Sequence, residues 1–275
     1  MTTRRERYSN VRLRAVRPNA GIKEAYSKRL QALVKKMAKD VASEISELYE
    51  KNESKIAQDS TPADKLQRMI DRLRKKWQRR ADEYSETTAK WFVNKTRVHV
   101  DRAQNSAIRD AGVRGFDIRF DKGQISQDAF NALVNANVSL IKSISSQYLN
   151  DVEGIVMRSI TDGRDVFGLK KELGKRYDIT MRRADFIARD QSNKATEGLA
   201  RANDLEVGVE QGEWVHIPGK YTSRETHRNM HGKKFDLTKG LYDKDVGQFI
   251  LPGHLPGCQC TYRPIFTRKT WQKNS

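Results

Sequence analysis

From Ala63 to Ala111 the chain has neither glycine nor proline. Thr61-Pro62-Ala63-Asp64 leads into that stretch as a helix start, with Thr at the N-cap, Pro at the first helical position and an acid at the third. One helix over these residues would be about 75 Å long. The stretch is either a single elongated helix or a broken pair, and on either reading a single compact sphere is not expected.

The flanking segments keep the same rhythm. Ile22, Tyr26, Leu30, Leu33, Met37, Val41, Ile45 and Leu48 recur at three- and four-residue steps, which puts an apolar stripe on one helix face. Ser126 is placed to cap a further helix, with Val134, Val138, Ile141, Ile144, Tyr148, Val152 and Ile155 on one side and Gly163 as its stop. A short helix through Leu169 and Leu173 follows. Thr180 is read as the start of another, running to about Asp204 with Phe186 and Ile187 inward. Phe116 to Phe120 alternates and reads as a short strand, as does Glu213 to Ile217.

Hydrophobic residues make up 37% and charged residues 32%. Such a balance can signal disorder, but the helical period argues for folded structure. The expected class is α+β, mostly α. A basic arm over 1–20 precedes an extended helical region over 21–165, and a small loop-rich α+β module occupies 166–275, where glycine, proline and histidine become frequent. The uncharged, apolar run Ala129 to Ile141 is too short for a bilayer, so no membrane is expected as a partner. The basic start is not followed by an apolar stretch, so a secretory signal is not expected either.

Charge is the second constraint. Lys and Arg number 53 against 35 Asp and Glu, a formal net charge of +18. Six arginines fall within the first 17 residues. Arg68, Arg72, Arg74, Lys75, Lys76, Arg79 and Arg80 crowd around Trp77 with only Asp71 opposing. Spaced by three and four, several share a helix face. They read either as a solvated face or as a contact for nucleic-acid phosphates. With no element built to read bases, such binding would be sequence-indifferent and steeply salt-dependent.

The chemistry-bearing residues concentrate near the carboxyl end. Four of the five histidines lie between 216 and 254, and both cysteines follow within six residues. Cys258 and Cys260, one residue apart, would form a strained disulfide, and a reducing compartment is the default. His227, His231, His254, Cys258 and Cys260 are ligands that zinc prefers, and four of them would close a tetrahedral structural site. His227 and His231 stand at i and i+4, on one side of a helical turn. Pro256-Gly257 supplies a bend just before the cysteines. The loops after Trp214 carry too few apolar residues to hold themselves, and a structural zinc site can contribute on the order of 10 kcal/mol to folding. Reduced cysteines with hydrogen-bonding histidines are the plainer reading. His227-Arg228-Asn229-Met230-His231 also admits a metal-dependent nuclease, although two cysteines favour a closed site over the open one that catalysis needs. No glycine-rich phosphate loop and no nucleophile elbow is present.

Four stretches resemble the head-morphogenesis family of tailed bacteriophages, the minor head proteins like protein F of phage Mu. They are Arg17-Pro18-Asn19-Ala20-Gly21-Ile22 with Tyr26; Val152 to Ser159; and Arg183 to Gln191 with Asn193-Lys194-Ala195. The last runs from Trp214 to His216, Thr226-His227 through His231-Gly232, and Pro252-Gly253 through Cys258-Gln259-Cys260. Together they cover about residues 17–265. The family pattern has Arg between the cysteines, where this chain has Gln259, and the position of His254 is acidic in some relatives. The resemblance implies a low-copy structural virion component, not an enzyme. It implies association with the portal protein, the major capsid protein and a scaffold protein during assembly in the bacterial cytoplasm. The product would stay in the virion head and act in DNA packaging or delivery, with the basic excess facing packaged double-stranded DNA. Zinc would tie the module through His227, Cys258, Cys260 and one of His254 or His231. A phage nuclease and a host nucleic-acid-binding protein are the rival readings.

Overall fold

The computed structural model describes residues 10–52, 62–112, 123–161, 166–219, 223–267 and 270. The expected strand at 116–120, the break before Pro62, the stop at Gly163 and the arginines at positions 4, 5 and 7 lie outside them. In chain order the elements are β1 (Val11–Arg12), α1 (Ala20–Asn52), α2 (Pro62–Asp110), α3 (Gln124–Thr161), α4 (Val166–Glu206), β2 (Gln211–Val215), α5 (Glu225–Asn229), β3 (Lys234–Asp236), β4 (Leu241–Asp243), β5 (Gln248–Ile250) and β6 (Thr261–Phe266). The chain is α+β and mostly α, as its periodicity predicts. No helix among the described residues is long and apolar enough to cross a membrane.

The uninterrupted stretch forms one helix, α2, and not a broken pair. α1 starts where Asn19 accepts the Ile22 N–H at 3.0 Å, which satisfies one of the donors left open at a helix N-terminus. One expected boundary moves and another does not exist. α3 starts at Gln124, two residues before Ser126, and the Ser126 hydroxyl donates to Asn203 Oδ1 at 3.0 Å, so it makes a tertiary contact where a cap was expected. Thr180 lies inside α4, with its hydroxyl bonded back to the Arg176 carbonyl at 2.9 Å. A Thr that satisfies itself one turn back does not start a new helix, and the two helices expected over this region are one.

By packing, the chain forms two units: Glu24–Lys90 with Asn135–Ala188, and Met1–Lys23 with Trp91–Val134 and Arg189–Ser275. The first is helical. Tyr26, Leu30, Val34, Met37 and Val41 of α1, Met69, Ile70, Leu73 and Trp77 of α2, and Ile141, Ile144 and Tyr148 of α3 are buried. A buried hydrogen bond from the Tyr26 hydroxyl to Asn137 Oδ1, 2.8 Å, sits among them. Burial raises the Tyr26 hydroxyl above its ordinary pKa, so it stays a neutral donor.

The second unit contains the strands. A four-stranded antiparallel sheet has the order β1-β6-β2-β3, and β4 pairs with β5 in a separate hairpin. Its apolar core gathers Trp214, Phe235, Leu237, Ile250, Tyr262 and Phe266 with Ile108 of α2. Val11 and Arg12 extend the sheet along β6, Leu13 and Val16 are buried, and Arg12 pairs with Glu213 at 3.1 Å.

Candidate metal centre

Two segments converge on one point. α5 supplies His227, which is 2% exposed. The loop before β6 supplies Cys258 and Cys260, both buried and unpaired by any disulfide. The sulfur of Cys258 lies 3.3 Å from His227 Nδ1, and that of Cys260 lies 3.6 Å from the same nitrogen. These three donors can hold a metal ion, and among the described residues they are the group with that geometry.

The loop is shaped locally. Leu251-Pro252-Gly253-His254 and Leu255-Pro256-Gly257-Cys258 are successive turns, each closed by a bond from the fourth N–H to the first carbonyl, at 3.1 and 3.0 Å. Gly253 and Gly257 have φ of 74° and 72°. Proline fixes the second position and glycine alone enters positive φ freely at the third, the pattern of a type II turn. A Cβ at Gly253 would lie 3.0 Å from both Asn193 Nδ2 and Glu197 Cγ, so the turn also needs a bare backbone to reach α4.

α4 holds the loop with polar side chains. Asp190 Oδ1 accepts the Gly257 N–H at 2.7 Å, and Asn193 Nδ2 donates to the Cys258 carbonyl at 2.6 Å. Lys194 pairs with Asp190 at 2.9 Å. Glu197 is buried, and its Oε2 has no hydrogen-bond partner among the described residues. Desolvation raises its carboxyl well above the usual range. Asp204, two turns further along the same face of α4, accepts from Tyr262 Oη at 2.6 Å and Gln104 Nε2 at 2.9 Å, and burial raises it to about 7.

The electrostatics suit a cation. The Cys258 thiol is lowered to about 4, first because Cys260 donates to it and then because His227 lies beside it, against the opposing effect of burial. Facing that thiolate, Cys260 is raised. Two buried sulfurs so close share one proton, and a divalent cation removes the conflict by stabilising both as thiolates. On the far side of the His227 ring, Nε2 lies 3.3 Å from Asp243 Oδ2. That is ion-pair distance without full hydrogen-bond alignment, and Nε2 has no other hydrogen-bond partner among the described residues. Asp243 is fully buried and also accepts from Thr226 Oγ1 at 3.2 Å and the Asp245 N–H at 3.0 Å. A carboxylate behind an imidazole sets the tautomer and leaves the other ring nitrogen to a metal.

Of the five residues expected from sequence, the fold brings together His227, Cys258 and Cys260. His231 is exposed, because α5 ends at Asn229 and the i, i+4 relation to His227 is never completed in a helix. Its Nδ1 accepts the His216 N–H at 3.1 Å. His254 is exposed one turn before Cys258 and lines a cleft with Lys194, Glu197 and Arg201. His216, which spacing did not select, lies with Nδ1 3.4 Å from Cys260 Sγ. Burial, then the neighbouring His227, lower its pKa, which favours the neutral ring. The register of β2 on β6 places Trp214 opposite Tyr262 and Val215 opposite Thr261, and one step further His216 meets Cys260.

The basic cluster of α2 divides. Arg74 reaches Glu153 at 2.6 Å, Lys76 and Arg80 reach Asp40 at 2.7 and 3.4 Å, and Arg72 reaches Glu44 at 3.6 Å. Arg80 also lies over Trp77, 5.2 Å from the ring centroid, while Trp77 itself is buried. Arg68, Lys75 and Arg79 are exposed, with no ion-pair partner among the described residues. Together with Arg72 they recur at four, three and four residues, which aligns them on the face opposite the buried stripe.

Residues 150–263 match the family model described as Phage Mu protein F like protein. An uncharacterized protein of Haemophilus influenzae is 38% identical over 138 residues, covering 49% of this chain and 29% of the relative. The chain thus spans under a third of the curated relative it matches. No solved structure matches. The matched region contains the three clustered donors, Asp243 and the α4 residues that hold the cysteine loop.

Proposed function

We propose that the chain is a structural protein of the head of a tailed bacteriophage, docking on portal and capsid proteins during head morphogenesis and acting in DNA packaging or delivery. The Phage Mu protein F like match over residues 150–263 carries this reading, since that family is one of head morphogenesis. Mass spectrometry of purified particles, with heads and tails separated, tests it. The chain is expected with the heads, and its absence from particles would overturn the assignment.

In this reading the metal is zinc, held by His227, Cys258 and Cys260, and its role is to fold the module. Bound zinc would neutralise the two thiolates and lock loops whose apolar surface is small. Protein purified without chelator is expected to carry about one zinc per chain, as one such donor group implies. Atomic absorption showing none removes the metal from the proposal.

The exposed row Arg68, Arg72, Lys75 and Arg79 faces packaged DNA. Changing all four to Gln is expected to weaken DNA retention equally for unrelated sequences and to reduce the salt slope by roughly one per residue. Unchanged binding at ~50 mM salt would limit those residues to keeping the helix soluble.

A further inference from the structure

The structure assigns His216 as the fourth ligand of the metal centre, closing it as a two-cysteine, two-histidine structural site. The inference rests on the zinc reading and adds to it the identity of the ligand and the absence of an open position.

Three of the six donor–donor edges carry it; His216 faces Cys260 but stands outside the group of His227, Cys258 and Cys260, so its ring closes on the ion when the metal binds. Nitrogen and sulfur face each other at 3.3 Å for His227 with Cys258, 3.6 Å for His227 with Cys260, and 3.4 Å for His216 with Cys260. A tetrahedral ion with metal–sulfur bonds near 2.3 Å and metal–nitrogen bonds near 2.0–2.1 Å sets such edges at about 3.5 Å. The same nitrogen type, Nδ1, faces the sulfurs in both histidines.

The backbone explains why His216 and not its neighbours. The antiparallel ladder ends at Val215–Thr261, and the next residue of each strand, His216 and Cys260, leaves that pair on one side, since directly opposite positions share a face. His216 is further held through its own N–H, which donates to His231 Nδ1. That bond occupies one ring nitrogen of His231 and makes it a positioning residue for the ligand. His254 stands one turn away, in the cleft with Lys194 and Arg201. The charges also close. Two thiolates balance a divalent cation, two neutral imidazoles complete the shell, and the Asp243 carboxylate stands 3.3 Å behind His227 Nε2.

The experiment uses the full-length chain, stripped of zinc and titrated with cobalt(II). Wild type is expected to show the intense visible ligand-field bands of a four-coordinate ion. His216→Ala is expected to lower the affinity on the order of 100-fold or more and to shift the bands as water enters the vacated position. His216→Cys, which keeps four protein ligands, is expected to retain the intense bands and to gain sulfur-to-metal charge transfer. This variant separates loss of a ligand from loss of folding. His254→Ala is expected to match wild type, and His231→Ala to weaken binding less than His216→Ala. An unchanged spectrum and affinity in His216→Ala overturns the assignment, as does transfer of the large loss to His254→Ala. Failure of wild type to bind either zinc or cobalt would overturn the zinc reading itself, and is distinguished by being visible before any substitution.

Discussion

The helical unit of residues 24–90 and 135–188 and the strand-bearing segment 211–266 are stabilised by different means. In the first, apolar side chains at three- and four-residue spacing bury themselves along helices, and Tyr26 to Asn137 is a polar exception within a continuous greasy interior. In the second, the strands are three to six residues long. The loop that carries the cysteines is fixed by two proline–glycine turns, by Asp190 and Asn193 of α4, and by the sulfur–imidazole cluster. Distributed burial tolerates local damage. A centre at which two distant segments meet does not, because losing either side frees both the α5 turn and the cysteine loop.

That contrast is open to measurement, beginning with the largest effect. Removing the proposed zinc with a strong chelator is expected to cost the strand-bearing segment up to the order of 10 kcal/mol. Limited proteolysis should then cut within 211–266 while the far-UV helical signal largely persists. Loss of both together would mean that the two regions do not differ in the way described. The reciprocal test is Trp77→Ala, which empties a fully enclosed site in α2 and is expected to cost about 3–5 kcal/mol with zinc stoichiometry unchanged. Thermal unfolding with metal analysis reads both quantities.

A third test uses pH. Asp204 has a folded pKa raised from 3.8 to about 7 by burial. Between those values the folded state binds the extra proton, so the stability that Asp204 contributes is fully present below about pH 4 and is lost as pH rises toward 7. The loss is roughly 2–4 kcal/mol, and Glu197, raised for the same reason, acts in the same direction. Asp204→Asn keeps acceptors for Tyr262 and removes the charge, so denaturant titrations across that range should lose part of their slope. A slope unchanged in the variant would place the titrating group elsewhere. A smaller effect is expected from Asn193→Ala, which leaves the Cys258 carbonyl without its donor. It should cost about 1–3 kcal/mol in the strand-bearing segment and nothing in the helical unit, as read by site-resolved hydrogen exchange. Arg74→Gln, which breaks a half-exposed pair with Glu153, is expected to cost about 1 kcal/mol or less.

The sequence on its own determined the periodic part of the molecule. The stripe from Tyr26 to Ile45, the unbroken α2 and the concentration of histidine and cysteine after residue 216 follow from residue spacing, because helical contacts lie within one or two turns of each other. The two Pro-Gly turns follow as well, since their backbone angles are set by the residues that adopt them. Tertiary structure alone decided what depends on register and on partners far along the chain. Val11 and Arg12 joined the sheet from a segment with no apolar period, because β6 offered an edge. Ser126 and Thr180 looked like helix starts until Asn203 and the Arg176 carbonyl claimed their hydroxyls. His216 came to face Cys260 because an antiparallel strand pair brings together positions 44 residues apart, and nothing in local spacing records which residue will stand opposite which.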